Sequence, residues 1–195
     1  ARTYVGAKGP EDIMGCGNCV ISIYSPEKKD QVEALLYCMD SNDYQPNKIY
    51  GAYDWIHFDQ IEWYRKQSKH FAEKNGSNPV PALAFFHIPL IEYNGKTYGN
   101  DKEGGVASAN INSGMFASFL DMRDVMGVFV GHDHDNDFIG IDKGIALGYG
   151  RVTGADAYGE LTRGARIIEL YEDQFKFDTW ISTPSGREAA YYYPS

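Results

Sequence analysis

The stretch that most restricts this chain is Met126-Gly127-Val128-Phe129-Val130-Gly131-His132-Asp133-His134-Asp135-Asn136-Asp137. An apolar run of strand type ends at Gly131, and two histidines one residue apart follow among acids. A second run, Pro81-Ala82-Leu83-Ala84-Phe85-Phe86, ends the same way in His87-Ile88-Pro89. Ligands of α/β sheets bind outside the carboxyl ends of the strands. Two apolar strands that each deliver histidine at that end therefore read as two walls of one site.

The rest of the chain is arranged around those strands. Residues 1–17 are Gly-rich and irregular. Alternation predicts a strand over 19–24, a turn, and a hairpin partner over 32–39. A helix is expected over 54–75, where Trp55, Phe58, Ile61, Trp63, Tyr64 and Phe71 recur at mainly helical spacing. Asn75-Gly76 ends it and Pro79 prevents a restart. A polar excursion over 92–109 is long for a compact domain, and loops of that length are often functional. A short helix over 112–120 precedes the histidine strand. The remainder is β-rich, with strands expected over 138–141, 144–147, 165–171 and 175–182 and a tail ending in Tyr191-Tyr192-Tyr193-Pro194. There is no internal repeat and no linker, so residues 1–195 read as one portion of a single domain.

Charge narrows the partners. A formal net charge of −9 argues against non-specific binding to nucleic acid or anionic lipid. An anionic substrate stays possible, because a metal ion inverts the local field. No apolar stretch approaches the roughly 18 residues of a membrane span. Residues 1–5 carry no signal-peptide pattern, and without an initiator Met this end reads as an artificial or processing boundary. The compartment stays open, an extracytoplasmic one included. Cys16-Gly17-Asn18-Cys19 has the spacing of a redox or zinc half-site. No second pair completes a structural zinc site, and no helix follows Cys16, so both thiols are expected merely to pack.

The histidines carry the chemistry. In an extended segment residues i and i+2 point the same way, roughly 6.5–7 Å apart. His132 and His134 can therefore face one pocket, and His87 can add a third nitrogen from the neighbouring strand. Imidazole is the commonest metal ligand of this kind. Paired catalytic metals sit about 3.5–4 Å apart, so the two histidines of the loop can serve different ions. Asp133, Asp135 and Asp137 are candidates for holding the imidazoles from behind, or are solvated loop acids. Gly148 to Gly154 looks faintly like a phosphate-cradling loop but joins no strand to a clear helix. Arg151, Arg163 and Arg166 are expected to be structural or exposed, and His57 and His70 to serve the long helix.

Gly131-His132-Asp133-His134 resembles the Gly-His-x-His motif of the calcineurin-like metallophosphoesterases, and His87-Ile88-Pro89 resembles that family's preceding His motif. The purple-acid-phosphatase-like branch is the closer match. It shows in Asp54-Trp55-Ile56, Asp59-Gln60-Ile61-Glu62-Trp63-Tyr64, Asn112-Ser113-Gly114 and Gly164-Ala165-Arg166-Ile167-Ile168-Glu169-Leu170. The resemblance runs over nearly the whole chain. It implies a four-layer αββα sandwich and hydrolysis of phosphate esters at two metal ions (Mn, Fe or Zn). By the same resemblance His87 and His132 serve one ion and His134 the other.

The departures matter as much. The family's Asp-x-His, Gly-Asp-x-x-Asp and Gly-Asn-His-Asp/Glu motifs are not in this sequence. By resemblance the chain is therefore the C-terminal part of the catalytic domain. The bridging carboxylate, the Asn ligand and the leaving-group acid would lie on an N-terminal segment of the same domain. Three imidazoles without a carboxylate make a weak site, so this portion is expected to be inactive alone and to hold no metal tightly. It is expected to meet that N-terminal segment, or to self-associate through exposed strand edges. One alternative is a non-catalytic interaction module on the same fold. Another is a mononuclear zinc hydrolase using His87, His132 and His134 alone, since catalytic zinc takes three protein ligands and a water.

Overall fold

A computed structural model describes residues 8–95 and 98–194; the expectation placed on residues 1–5 lies outside them. The main sheet contains six strands. In chain order these are β1 (Cys19–Tyr24), β2 (Val32–Cys38), β3 (Ala82–Phe85), β4 (Val125–Val130), β5 (Ile139–Asp142) and β6 (Ile145–Tyr149). Their spatial order is β1-β2-β3-β4-β6-β5. The four central strands run parallel, and β1 and β5 pair antiparallel at the two edges. All six residues of β4 are buried, as a central parallel strand covered on both faces requires.

Helices α1 (Phe58–Lys74) and α2 (Met115–Met122) cover one face. Beneath them lies a core of Leu35, Tyr37, Ile61, Tyr64, Phe119, Val128 and Leu147. The other face carries a three-stranded antiparallel sheet of β7 (Ala165–Leu170), β8 (Phe177–Thr183) and β9 (Gly186–Tyr193). Leu83, Met126, Phe129, Ile139 and Phe177 fill the space between the sheets. The chain thus has a helix–sheet–sheet order of layers, an α/β architecture containing three of the four layers expected.

Most elements fall within a residue or two of their expected positions. The long helix is the larger difference, beginning at Phe58 rather than at Asp54. Residues 54–57 stay extended because the Gln60 side chain accepts the His57 amide at 2.9 Å, fixing the helix start there. His57 therefore caps the helix rather than lying in it, with Nε2 3.2 Å from Asp54. Strand β9 was not foreseen at all. Its pairing with β8 shifts register between Thr179 and Ile181, and Ala189 opposite has φ 46°. Such a bulge breaks the period-two pattern by which a strand is recognised.

Polar groups inside the helical side are paired. Asp124, 1% exposed, accepts the Tyr37 hydroxyl at 2.9 Å and the Tyr64 hydroxyl at 2.5 Å. Both phenols are pushed well above their ordinary pKa, first by burial and then by the Asp124 charge, so they remain donors. Asp124→Ala would strand two buried hydroxyls. The expected loss is about 1–3 kcal/mol, read as a lower urea midpoint at unchanged m-value.

Candidate metal centre

The histidines arrive as the strands dictate. β3 ends at Phe85, and two residues on, His87 stands at the carboxyl end of the parallel sheet. Ser41 lies after β2, and its buried hydroxyl accepts the amides of His87 at 3.2 Å and Ile88 at 2.8 Å. β4 ends at Val130, and the Gly131 amide donates to the His87 carbonyl at 3.1 Å. A Cβ on Gly131 would stand 3.2 Å from His87 Nδ1, so the absence of a side chain there lets the imidazole lie against the loop. His132 follows at φ 78°, in the left-handed region.

That turn brings two rings together. His132 Nδ1 lies 3.2 Å from His87 Nε2, with ring centroids 5.1 Å apart and planes at 86°. Tyr53 meets His132 edge-on, 4.5 Å between centroids. His132 titrates below the ordinary histidine value. Burial is the main cause, Asp133 opposes it, and the neighbouring imidazoles add to it. A neutral imidazole is the form that ligates metal.

His134 lies in the same cleft but turns to another partner. Its ring stacks on Tyr158 with centroids 3.9 Å apart, and Nδ1 is 3.1 Å from the Tyr158 carbonyl oxygen. A carbonyl only accepts, so in the neutral ring Nδ1 carries the proton and Nε2 the lone pair. The Tyr158 hydroxyl links both turns of the loop, accepting the His134 amide and donating to the His132 carbonyl, each at 3.2 Å. His87, His132, His134, Tyr53, Tyr158 and Asn42 line one open cleft of about 350 Å³.

The three acids of the loop do not hold the imidazoles, which corrects one expectation. Asp133 accepts the Tyr149 hydroxyl at 2.6 Å and the Ala107 amide at 3.1 Å. Asp135 accepts the amides of Glu160 and Leu161, which hold its carboxyl below the usual range. Asp137 binds Arg151 and the Asn100 amide and side chain. Acids at successive odd positions in a tight loop sit where unpaired backbone amides need acceptors, and that demand prevails here. The long polar excursion is the partner: Asn100, Glu103 and Ala107 all bond to the segment from Asp133 to Asp137.

The arginines are structural, as expected. The Arg151 side chain is 2% exposed and pairs with Asp137, while Nη1 donates to the Thr162 carbonyl at 2.7 Å. Arg166 donates to the carbonyls of Tyr149 and Asp137, and burial lowers its pKa to about 10, which leaves it charged. Arg163 donates to backbone carbonyls of its own loop. Gly148 and Tyr149 belong to β6, so the glycine-flanked segment cradles no anion at a helix start.

The donor set is therefore partial. His87 and His132 touch, and His134 shares their cleft, but among the described residues no three His, Cys, Asp or Glu side chains form a metal-holding group. Asp43 and Asp133 also line the cleft, but among the described residues no carboxylate completes a metal-holding group with the imidazoles, so these residues fit part of a metal shell and not a whole one. The mononuclear zinc alternative, which needs the three imidazoles on one ion, does not match this arrangement. Ser41, Tyr53 and Tyr158 went unread in the sequence. Ser41 and Tyr53 come from the β2–α1 connection and Tyr158 from the β6–β7 connection, and only the fold sets them beside the histidines.

The histidines thus stand at the carboxyl ends of two adjacent parallel strands, where ligands of α/β sheets bind. The chain belongs to the calcineurin-like metallophosphoesterases, in their purple-acid-phosphatase-like branch. It is 37% identical to "Probable inactive purple acid phosphatase 29" of Arabidopsis thaliana, over 86% of this chain and 47% of that protein. It is 35% identical to "Probable inactive purple acid phosphatase 28" of the same plant, over 86% of the chain and 44% of the relative. With "Phosphatase DCR2" of Saccharomyces cerevisiae the identity is 34%, over 87% and 32%. No family model matches the chain. The chain spans about half the length, or less, of the curated relatives it matches.

Proposed function

We propose that this chain supplies the imidazole wall of a two-metal phosphoesterase that hydrolyses phosphomonoesters or phosphodiesters. The observation that carries this reading is the 3.2 Å approach of His87 and His132 at the mouth of β3 and β4, with His134 in the same cleft. Paired ions, when bound, supply positive charge to the phosphoryl oxygens and acidify the attacking water. His87 and His132 would hold one ion and His134 Nε2 the other. The Tyr158 carbonyl keeps the His134 proton on Nδ1, so Nε2 is the free donor. Carboxylate ligands and the leaving-group acid would come from another segment of the protein.

Two tests follow from that division. The described chain alone should turn over a chromogenic monoester or diester far below the usual enzymatic range of about 1–10³ s⁻¹, with Mn²⁺, Zn²⁺ or Fe present. Ordinary turnover by the chain alone would show that its own residues suffice. In a longer form that carries the carboxylate motifs, His87→Ala, His132→Ala and His134→Ala should each lower metal content per folded protein and cut kcat by orders of magnitude. His70→Ala, on the exposed side of α1, is the control. Full metal occupancy and near-normal kcat in His134→Ala would remove that residue from the site.

A second reading has its own observation. Two of the relatives are named as probable inactive phosphatases. On that reading the fold is a non-catalytic interaction module. A longer form that binds no metal and releases no phosphate from either substrate would favour it.

A further inference from the structure

Cys16 and Cys19 are three positions apart in the chain, but the fold gives Cys19 a different neighbour. Cys19, the first residue of β1, lies directly opposite Cys38, the last residue of β2. Ile21 lies opposite Leu36 in the same ladder, so the register is fixed over the strand and not by one contact. Side chains opposite each other in an antiparallel pair leave the sheet on the same face. Cys16 is held elsewhere: its amide donates to Asp40 at 2.7 Å, and its exposed thiol sits 3.8 Å from the Lys8 carbonyl.

The backbone shows which kind of pair this is. Leu35 and Met39 donate their amides to β3, toward Pro81 and Phe85. Cys38, odd-to-even along the strand, therefore turns its amide and carbonyl toward β1. Cys19 and Cys38 form a hydrogen-bonded pair, with Cα atoms about 5.5 Å apart by the geometry of such ladders. That is inside the roughly 4.4–6.8 Å range of disulfides. The Cβ atoms of such pairs stand at about 5.5 Å, wider than the roughly 3.5–4.5 Å of a relaxed bridge. Both residues are at strand ends, where the backbone can close the difference. The bond would keep some strain, and strained bridges are the readily reduced ones.

We propose that Cys19 and Cys38 are a reversible disulfide site, closed by exchange with a small-molecule disulfide such as oxidised glutathione. Burial and the nearby Cys19 push the Cys38 thiol up to about 11; either thiol of the pair can open the exchange, and the steps balance alike from both sides. When Cys19 opens, its thiolate attacks one sulfur of the reagent, the reagent's S–S bond breaks, and one thiol leaves. Cys38 then loses its proton and attacks Cys19 Sγ, expelling the second reagent thiol. Two protein thiols give up two protons and two electrons, and the reagent takes both as two thiols. The bridge fastens the edge strand just before Asp40, Ser41 and Asn42, the segment that carries the Ser41 support of His87. Its chemistry is independent of the metal reading.

The test is thiol mapping on the folded chain. The protein is incubated with oxidised glutathione, denatured, alkylated and digested, and the cross-linked peptides are identified by mass. The expected result is protection of two of three thiols, a Cys19–Cys38 peptide, Cys16 alkylated, and full reversal by dithiothreitol. In Cys38→Ser, Cys16 and Cys19 should stay unbridged. A Cys16–Cys19 peptide in the wild-type chain, three free thiols after oxidation, or glutathione retained on Cys19 or Cys38 without closure would overturn the proposal. The wild-type map decides even if Cys38→Ser folds poorly.

Discussion

Arg151→Ala is expected to cost the fold about 3–5 kcal/mol, the usual loss when one partner of a buried ion pair is removed. The Arg151 side chain is 2% exposed and that of Asp137 0% exposed, so the stranded carboxylate would meet no water. Asp137 also accepts the Asn100 amide at 2.7 Å, which anchors the long polar loop to the histidine loop. The damage should therefore spread to both loops. Arg151→Lys should recover only part of the loss. One ammonium replaces the charge but not the fork that reaches Asp137 and the Thr162 carbonyl together. Urea unfolding at neutral pH reads the effect. A change below about 1 kcal/mol in Arg151→Ala would mean that the pair is hydrated in solution, as exposed pairs are.

Phe177→Ala is expected to lose a similar amount, about 3–5 kcal/mol, by a different route. Phe177 is fully buried between the sheets. It stacks on Tyr193 at 5.0 Å between centroids and meets Phe129 edge-on at 5.7 Å. It also fits a notch above Gly127, where a Cβ would stand 3.2 Å from its ring. Removing the ring opens a cavity bounded by two strands that cannot collapse toward each other without breaking their ladders. For a chain of this size each kcal/mol moves the thermal midpoint by about 2–4 °C. A midpoint within 2 °C of wild type would show that β8 does not pack on the main sheet in solution.

The parts of this protein that could be read from the sequence are those governed by one local rule. Apolar runs gave β3 and β4, and helical spacing gave α1. The strand-end positions of His87 and His132 placed both imidazoles at one mouth. The limits were set by longer-range demands. Asp133, Asp135 and Asp137 look like ligand supports beside two histidines, but each accepts an amide from a residue 26 or more positions away. Tyr158 reaches His134 across 24 positions with no spacing rule to announce it. Strand β9 was hidden by its own bulge, and Cys38 paired with Cys19 because the β1–β2 register, not the local Cys-x-x-Cys spacing, sets which thiols meet.

His132 holds the left-handed backbone conformation on a residue that carries a Cβ, at φ 78°. Such a conformation costs of order 1–3 kcal/mol, and the surrounding structure must impose it. Glycine would adopt it freely. The most comfortable residue for the fold at this position is thus one with no imidazole at all. His132→Gly should relieve the turn while emptying one wall of the cleft. The Tyr158 hydroxyl, donating to the His132 carbonyl from 26 positions further along the chain, is part of what holds that turn against its strain, so the shape of the cleft depends on a residue outside the histidine loop.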